Sequence, residues 1–205
     1  MYHGERFNSY SHLIGALLAV AGAVVLIVIG ALQADVWKIV SFSIYGASLV
    51  LLYSVSTLYH STRGGAKRLF QKLDHNAIYL LIAGSYTPFT LVTLRGPWGW
   101  TLFGVIWGLA AVGMLQESLL GKRTRTLSLV IYVLMGWVAL VAVVPLIEAL
   151  TPAGFAWLAA GGVIYTLGIA FYLYDEKFKH WHGIWHLFVV AGSAVHYVAI
   201  LLYVA

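Results

Sequence analysis

The chain has 205 residues, of which 61% are hydrophobic and 9% charged, with a formal net charge of +5 and no cysteine. A soluble domain carries ~25% charged residues, so this composition excludes a soluble globule and reads as an integral membrane protein. The missing cysteines exclude disulfides, thiolate metal ligands and a cysteine nucleophile. The basic residues flank apolar runs rather than forming a soluble face, which argues against a nucleic-acid partner.

The first apolar run follows Glu5, Arg6, Asn8 and His12 and has no small-residue cleavage site behind it, so a signal peptide is not expected. Seven runs free of Asp, Glu, Lys and Arg follow in order: 13–31, 39–59, 76–94, 98–116, 126–146, 152–174 and 183–204. Each has 19 to 23 residues, close to the ~20 that cross a bilayer core as a helix. Runs of this length without strict alternation exclude a β-barrel. The expected fold is an all-α, seven-transmembrane-helix bundle forming one domain over residues 1–205, with its termini on opposite sides of the membrane.

Lys and Arg residues set the expected orientation. Arg6, Arg63, Lys67, Arg68, Lys72, Lys122, Arg123, Arg125, Lys177 and Lys179 fall on one side, and only Lys38 and Arg95 on the other. By the positive-inside rule the N-terminus is cytoplasmic and the C-terminus external. Arg63-Gly64-Gly65 is expected to open a cytoplasmic loop, Arg95-Gly96-Pro97 to make a tight external one, and Thr151-Pro152 to start the sixth span. Trp37, Trp98, Trp100, Trp157 and Trp181 stand near span ends, as interfacial aromatics do.

On this topology His60 ends the second span, Asp74 stands just ahead of the third, and His182 and His186 open the seventh, all at the cytoplasmic side. His182 and His186, four residues apart, share one helix face. Ser56 lies one turn deeper than His60 on its face of the second helix. Such a His/Asp set suits a borderline metal, Zn²⁺ first. The competing reading makes each histidine an interfacial anchor and Asp74 a helix N-cap. It is weakest for His186, a turn inside the span, where an ionisable group is costly. His75 points about 100° from Asp74, so one of the two is expected to face elsewhere. His196, ten residues beyond His186, lies too deep for a shared ligand set and is expected to hydrogen-bond a neighbouring helix. His180 reads as a loop residue. Glu5, Asn8 and His12 either brace the site or anchor the first helix.

Ser56-x-x-x-His60, Leu73-Asp74 ahead of Ala83-Gly84-Ser85-Tyr86-Thr87-Pro88, His182-x-x-x-His186 with His196 beyond, and the opening Glu5-x-x-Asn8-x-x-x-His12 resemble the progestin and adipoQ receptor family. More narrowly, they resemble its bacterial hemolysin III branch, over essentially the whole chain. The resemblance implies a seven-helix bundle with its N-terminus inside, a place in a bacterial plasma (inner) membrane, and a zinc ion near the cytoplasmic face. His60, His182 and His186 would be its ligands, Asp74 would hold a water at the zinc, and Ser56 would stand beside it. The family is similar to the alkaline ceramidases, which implies hydrolysis of a lipid or lipid amide, membrane lipids being the expected partners. A long extra-membrane domain like that of the animal receptors is not expected here, which leaves hormone recognition outside what the resemblance implies. A zinc-stapled, non-enzymatic membrane sensor or regulator is the alternative. A pore-forming hemolysin fits less well, since the seven runs offer no charged lumen face.

Overall fold

The computed structural model describes residues 1, 4–120 and 125–205. Lys122 and Arg123, counted in the charge asymmetry, lie outside the described residues. Among the described residues seven α-helices follow in order: α1 (Arg6–Leu32), α2 (Val36–Ser61), α3 (Gly64–Pro88), α4 (Pro97–Leu120), α5 (Arg125–Trp137), α6 (Val143–Leu173) and α7 (Trp181–Tyr203). There is no strand among the described residues. The chain is all-α, and its long apolar helices make it a multi-pass membrane protein.

Among the described residues five stretches are long and apolar enough to cross a bilayer: Arg6–Leu32, Val36–Ser61, Pro97–Leu119, Arg125–Leu173 and Trp181–Tyr203. The fourth of these, 49 residues long, is not one straight rod. A 3₁₀ turn at Val138–Ala142 joins α5 to α6. Within α6 the backbone leaves helical geometry at Thr151 (φ 66°, ψ 160°), immediately before Pro152. Proline has no N–H and clashes with a preceding helical turn, so the break sits where the sequence places a helix start.

α3 departs from the sequence expectation. The Arg63-Gly64-Gly65 segment does not open a loop; the helix begins at Gly64, whose φ of +62° reverses the chain after α2 without a side-chain clash. Asp74 is therefore the eleventh residue of a helix and buried, not its N-cap. Charge-free runs mark only the membrane-embedded half of such a helix and miss its charged first turns. At the other end Pro88 cannot donate, and the chain widens into a π-turn over Phe89–Thr93. Thr87 and Thr90 hydroxyls bond the Ala83 and Tyr86 carbonyls there.

α2 lies at the centre. Phe42, Tyr45, Leu49, Leu52 and Tyr53 are buried in the main core with Leu26 of α1, Ala77 and Leu81 of α3 and Val189 and Ile200 of α7. Apolar burial gives little drive between helices in lipid, so hydrogen bonds and close packing carry much of their association. A polar node meets that need: Ser193 Oγ of α7 bonds Tyr53 of α2 and Tyr165 of α6, each at 2.6 Å. The close α2–α3 approach depends on Gly84, where a Cβ would overlap Ser48 Oγ. These contacts bring the end of α2 and the starts of α1 and α7 to the same end of the bundle, beside the middle of α3.

Candidate metal centre

His60, His182 and His186 each offer a ligand nitrogen, and these three atoms lie within 4.8 Å of one another. His60 and His186 are buried and His182 is half-buried. The ring centroids stand 5.0, 5.0 and 4.7 Å apart, with mutual inclinations of 53°, 69° and 64°. Three inclined imidazoles at near-equal spacing form a tripod around a common point. The three residues come from α2 and the first turn and a half of α7, where the four-residue spacing stacks the α7 pair.

What holds each ring decides which nitrogen is free. His60 Nδ1 donates to Glu5 Oε2 at 2.7 Å, and His182 Nδ1 to Asp175 Oδ2 at 2.6 Å. His186 Nδ1 donates to the Asn8 carbonyl at 3.0 Å, with Ser11 Oγ at 3.1 Å. The two carboxylates and the Asn8 carbonyl can only accept, so Nδ1 carries the proton and the Nε2 lone pair is left for a ligand. His60 Nε2 is buried with no hydrogen-bond partner. An orphaned ring nitrogen inside a histidine tripod is otherwise costly, and its chemistry fits a zinc ion, which takes three neutral imidazoles and keeps a fourth position open.

The supporting shell comes largely from residues 5–12, the leader that opens α1, and from the link between α6 and α7. Glu5 also accepts from Lys67 Nζ at 2.9 Å and Asn8 Nδ2 at 2.8 Å. Partial burial raises its pKa, but the bonds from His60, Lys67 and Asn8 outweigh burial and hold the carboxyl well below the usual range. Asp175 follows the same pattern, with burial opposed by the stronger pull of His182 and Arg125. Arg125 grips Asp175 Oδ1 at 2.6 Å and Glu176 at 2.7 Å, bonds the Tyr172 carbonyl and lies 4.2 Å over the Tyr172 ring. The leader seats against α7 because residue 183 is glycine, where a Cβ would overlap Phe7.

Of the residues singled out from sequence, Ser56 and Asp74 are buried beside the tripod and line one apolar cavity with His182 and His186. Asp74 and His75 both line that cavity, and the His75 ring also turns toward α4. His75 Nδ1 meets Glu117 of α4 at 2.8 Å, and Glu117 accepts from Ser128 of α5 at 2.6 Å. His12 stacks on His186 at 3.6 Å and 9°. Since a metal lies near the plane of each ligating ring, ~2.0–2.1 Å from nitrogen, parallel rings so close cannot share one ion, and His12 is a brace. His196 bonds the Leu158 carbonyl of α6 at 3.1 Å, as a neighbouring-helix contact. His180 sits just ahead of α7 in the left-handed region. Asp175, Ser11 and Arg125 escape a sequence reading because only the fold brings them to the histidines.

A family profile described as haemolysin-III related matches residues 1–197. The chain is 46% identical to Hemolysin-3 of Bacillus cereus over 201 residues, 98% of this chain and 91% of the relative. It is 44% identical to the Hemolysin-3 homolog of Bacillus subtilis (strain 168) over 200 residues, 97% and 93% of the two chains. It is also 33% identical to the monocyte to macrophage differentiation factor of Homo sapiens over 202 residues, 96% and 82% respectively. With the profile spanning residues 1–197 and the Bacillus relatives 44–46% identical over nearly the whole chain, the chain belongs to the haemolysin-III-related family.

Proposed function

We propose that the protein is an intramembrane zinc-dependent hydrolase of a lipid or lipid amide, with a role in membrane homeostasis. The observation that carries this reading is the position of the tripod between two unlike spaces. On one side is a largely apolar cavity of about 130 Å³, walled by Leu81, Ile82, Leu129, Ile169 and Val189 together with Ser56, Asp74 and His186. On the other is a polar mouth of about 370 Å³ with Glu5, His60, Glu117, Arg125 and Asp175 on its walls. His75, Tyr132, Tyr172 and His182 border both. An amphiphile with its acyl chain in the first and its head group in the second has its linking carbonyl at the histidines.

A bound zinc ion supplies Lewis acidity to that carbonyl and to water. The chain's own groups do the rest. Asp74 accepts the proton of the attacking water and returns it to the leaving amine or alcohol as the acyl bond breaks. Ser56 donates to the oxygen on which charge develops. The apolar walls exclude bulk water from the acyl side and orient the chain. Purified, zinc-loaded protein should release fatty acid from long-chain N-acyl amides or acyl esters, measured by mass spectrometry. Release should stop with chelation, and in Asp74→Ala with zinc retained. Absence of release from every such lipid by protein holding one zinc removes the hydrolase reading.

That outcome would leave the non-enzymatic alternative, a zinc staple in a membrane sensor or regulator. It is favoured by the way the leader, α2, the α6–α7 link and α7 all converge on the three imidazoles, so that metal binding adds directly to folding free energy. Two relatives carry hemolysin names, but a pore fits this chain less well, since the seven charge-free runs read from the sequence offer no charged lumen face. Saturable red-cell lysis by purified protein at low dose would reverse that order.

The reading includes seven crossings of a bacterial inner membrane. The 49-residue stretch would measure over 70 Å as one helix, at roughly 1.5 Å per residue, against a hydrocarbon core of ~30 Å. Division at Thr151 gives two crossings, and the second half of α3 with its π-turn gives another. The N-terminus and the metal centre then face the cytoplasm.

A further inference from the structure

The first ten residues of α3, Gly64–Leu73, contain no acidic residue and run outward past the level of Asp74, about 15 Å of helix at the usual rise. Their inner side is committed: Lys67 pairs with Glu5, and Asp74 lies over the cavity. The outer side is not. At 100° per residue, Arg68 and Lys72 fall on one edge of an exposed arc and Leu69 and Leu73 on the other. Leu69 is 57% and Leu73 43% exposed. Among the described residues neither Arg68 nor Lys72 has an ion-pair partner.

The neighbours continue this pattern around the mouth. Tyr10 of α1 is 52% exposed beside exposed Arg6, and Phe178, 49% exposed, stands between exposed Lys177 and Lys179. Phe7 and His180, 6.1 Å apart, join the two segments. At the opposite end Lys38 bonds Gln33 and Arg95 lies over Trp37. Exposed cations next to exposed apolar side chains on one arc are suited to the headgroup layer, with the apolar groups at the acyl boundary and the cations on phosphates.

We propose that the outer face of α3's first turns, with the rim it continues, is a binding surface for anionic phospholipid. Its occupant is the headgroup phosphate of a bilayer lipid whose chains lie against Leu69 and Leu73. This assignment is independent of any reaction at the histidines. It brings anionic lipid to the border of the polar mouth and makes that lipid part of the environment in which α3 is held.

The test uses the full chain in phosphatidylcholine vesicles containing spin-labelled phosphatidylglycerol or spin-labelled phosphatidylcholine. The fraction of motionally restricted label gives the preference for the anionic lipid. Wild type should prefer phosphatidylglycerol at low salt and lose the preference at high salt. Arg68→Gln/Lys72→Gln should lower it at least about fivefold, the effect of one or more cations near an anionic surface. Arg68→Lys/Lys72→Arg should keep it, and so should Lys38→Gln at the other end. An unchanged preference in the glutamine variant overturns the proposal, as does an equal loss in Lys38→Gln. Loss of the preference on adding millimolar glycerol phosphate would make this a site for free phosphate and overturn the lipid assignment.

Discussion

His186 shows how much one residue can be asked to do in a membrane. It is fully enclosed, bonded through Nδ1 to the leader, stacked by His12, and has its other nitrogen directed to the tripod. His186→Ala should therefore lower zinc content and thermal stability together, seen by elemental analysis and a melting curve on the same preparation. Unchanged stoichiometry would remove it from the ligand set. Asp175 acts one step away, fixing the His182 ring while held by Arg125. Asp175→Asn should weaken zinc binding about 10- to 100-fold by chelator competition, as loss of an outer partner does, with stoichiometry kept at saturation. Equal affinity would mean that the carboxylate serves the loop alone. The histidines themselves were legible in the sequence, through a four-residue repeat and their places at span ends. Their partners were not, because Glu5 and Asp175 lie 55 and 7 positions from the histidines they hold, and nothing local in the chain announces those pairings.

Among the elements, the leader and α3 depart furthest from a reading by hydropathy. The charge-free runs 39–59, 98–116 and 183–204 end within four residues of the ends of α2, α4 and α7, because a lipid environment admits few alternatives to an apolar helix. The run 13–31, by contrast, starts seven residues inside α1. The same criterion hides any helical turn that carries charge, and so α3 appeared to begin twelve residues later than its first turn at Gly64. Asp74 looked like a cap for that reason. The leader is docked by shape as well as by polar bonds, through the missing side chain at Gly183. Gly183→Ala should push Phe7 away, lower the melting temperature and loosen zinc, by a mechanism that removes no ligand. A variant with wild-type stability and zinc affinity would show that the leader contributes nothing to the centre. The Thr151 break was readable from Thr151-Pro152, whereas the 3₁₀ turn between α5 and α6 has no counterpart in the pattern of charges.

For the whole molecule, the proposed orientation rests on the uneven distribution of Lys and Arg. Because the chain has no cysteine, single cysteines introduced at Arg6 and at Ala205 can be labelled with a membrane-impermeant maleimide in intact and in opened cells. Ala205→Cys should label from outside and Arg6→Cys only after opening; the reverse pattern would invert the topology and move the metal centre to the other face. All larger questions of activity depend on the centre itself. The most direct measurement is zinc content in detergent-purified protein prepared without chelator, wild type beside His60→Ala/His182→Ala. One zinc per chain, lost in the double variant, is the expected result. No bound metal in the wild type, or an equal amount in the variant, would contradict a metal centre at the three histidines and take the hydrolase with it.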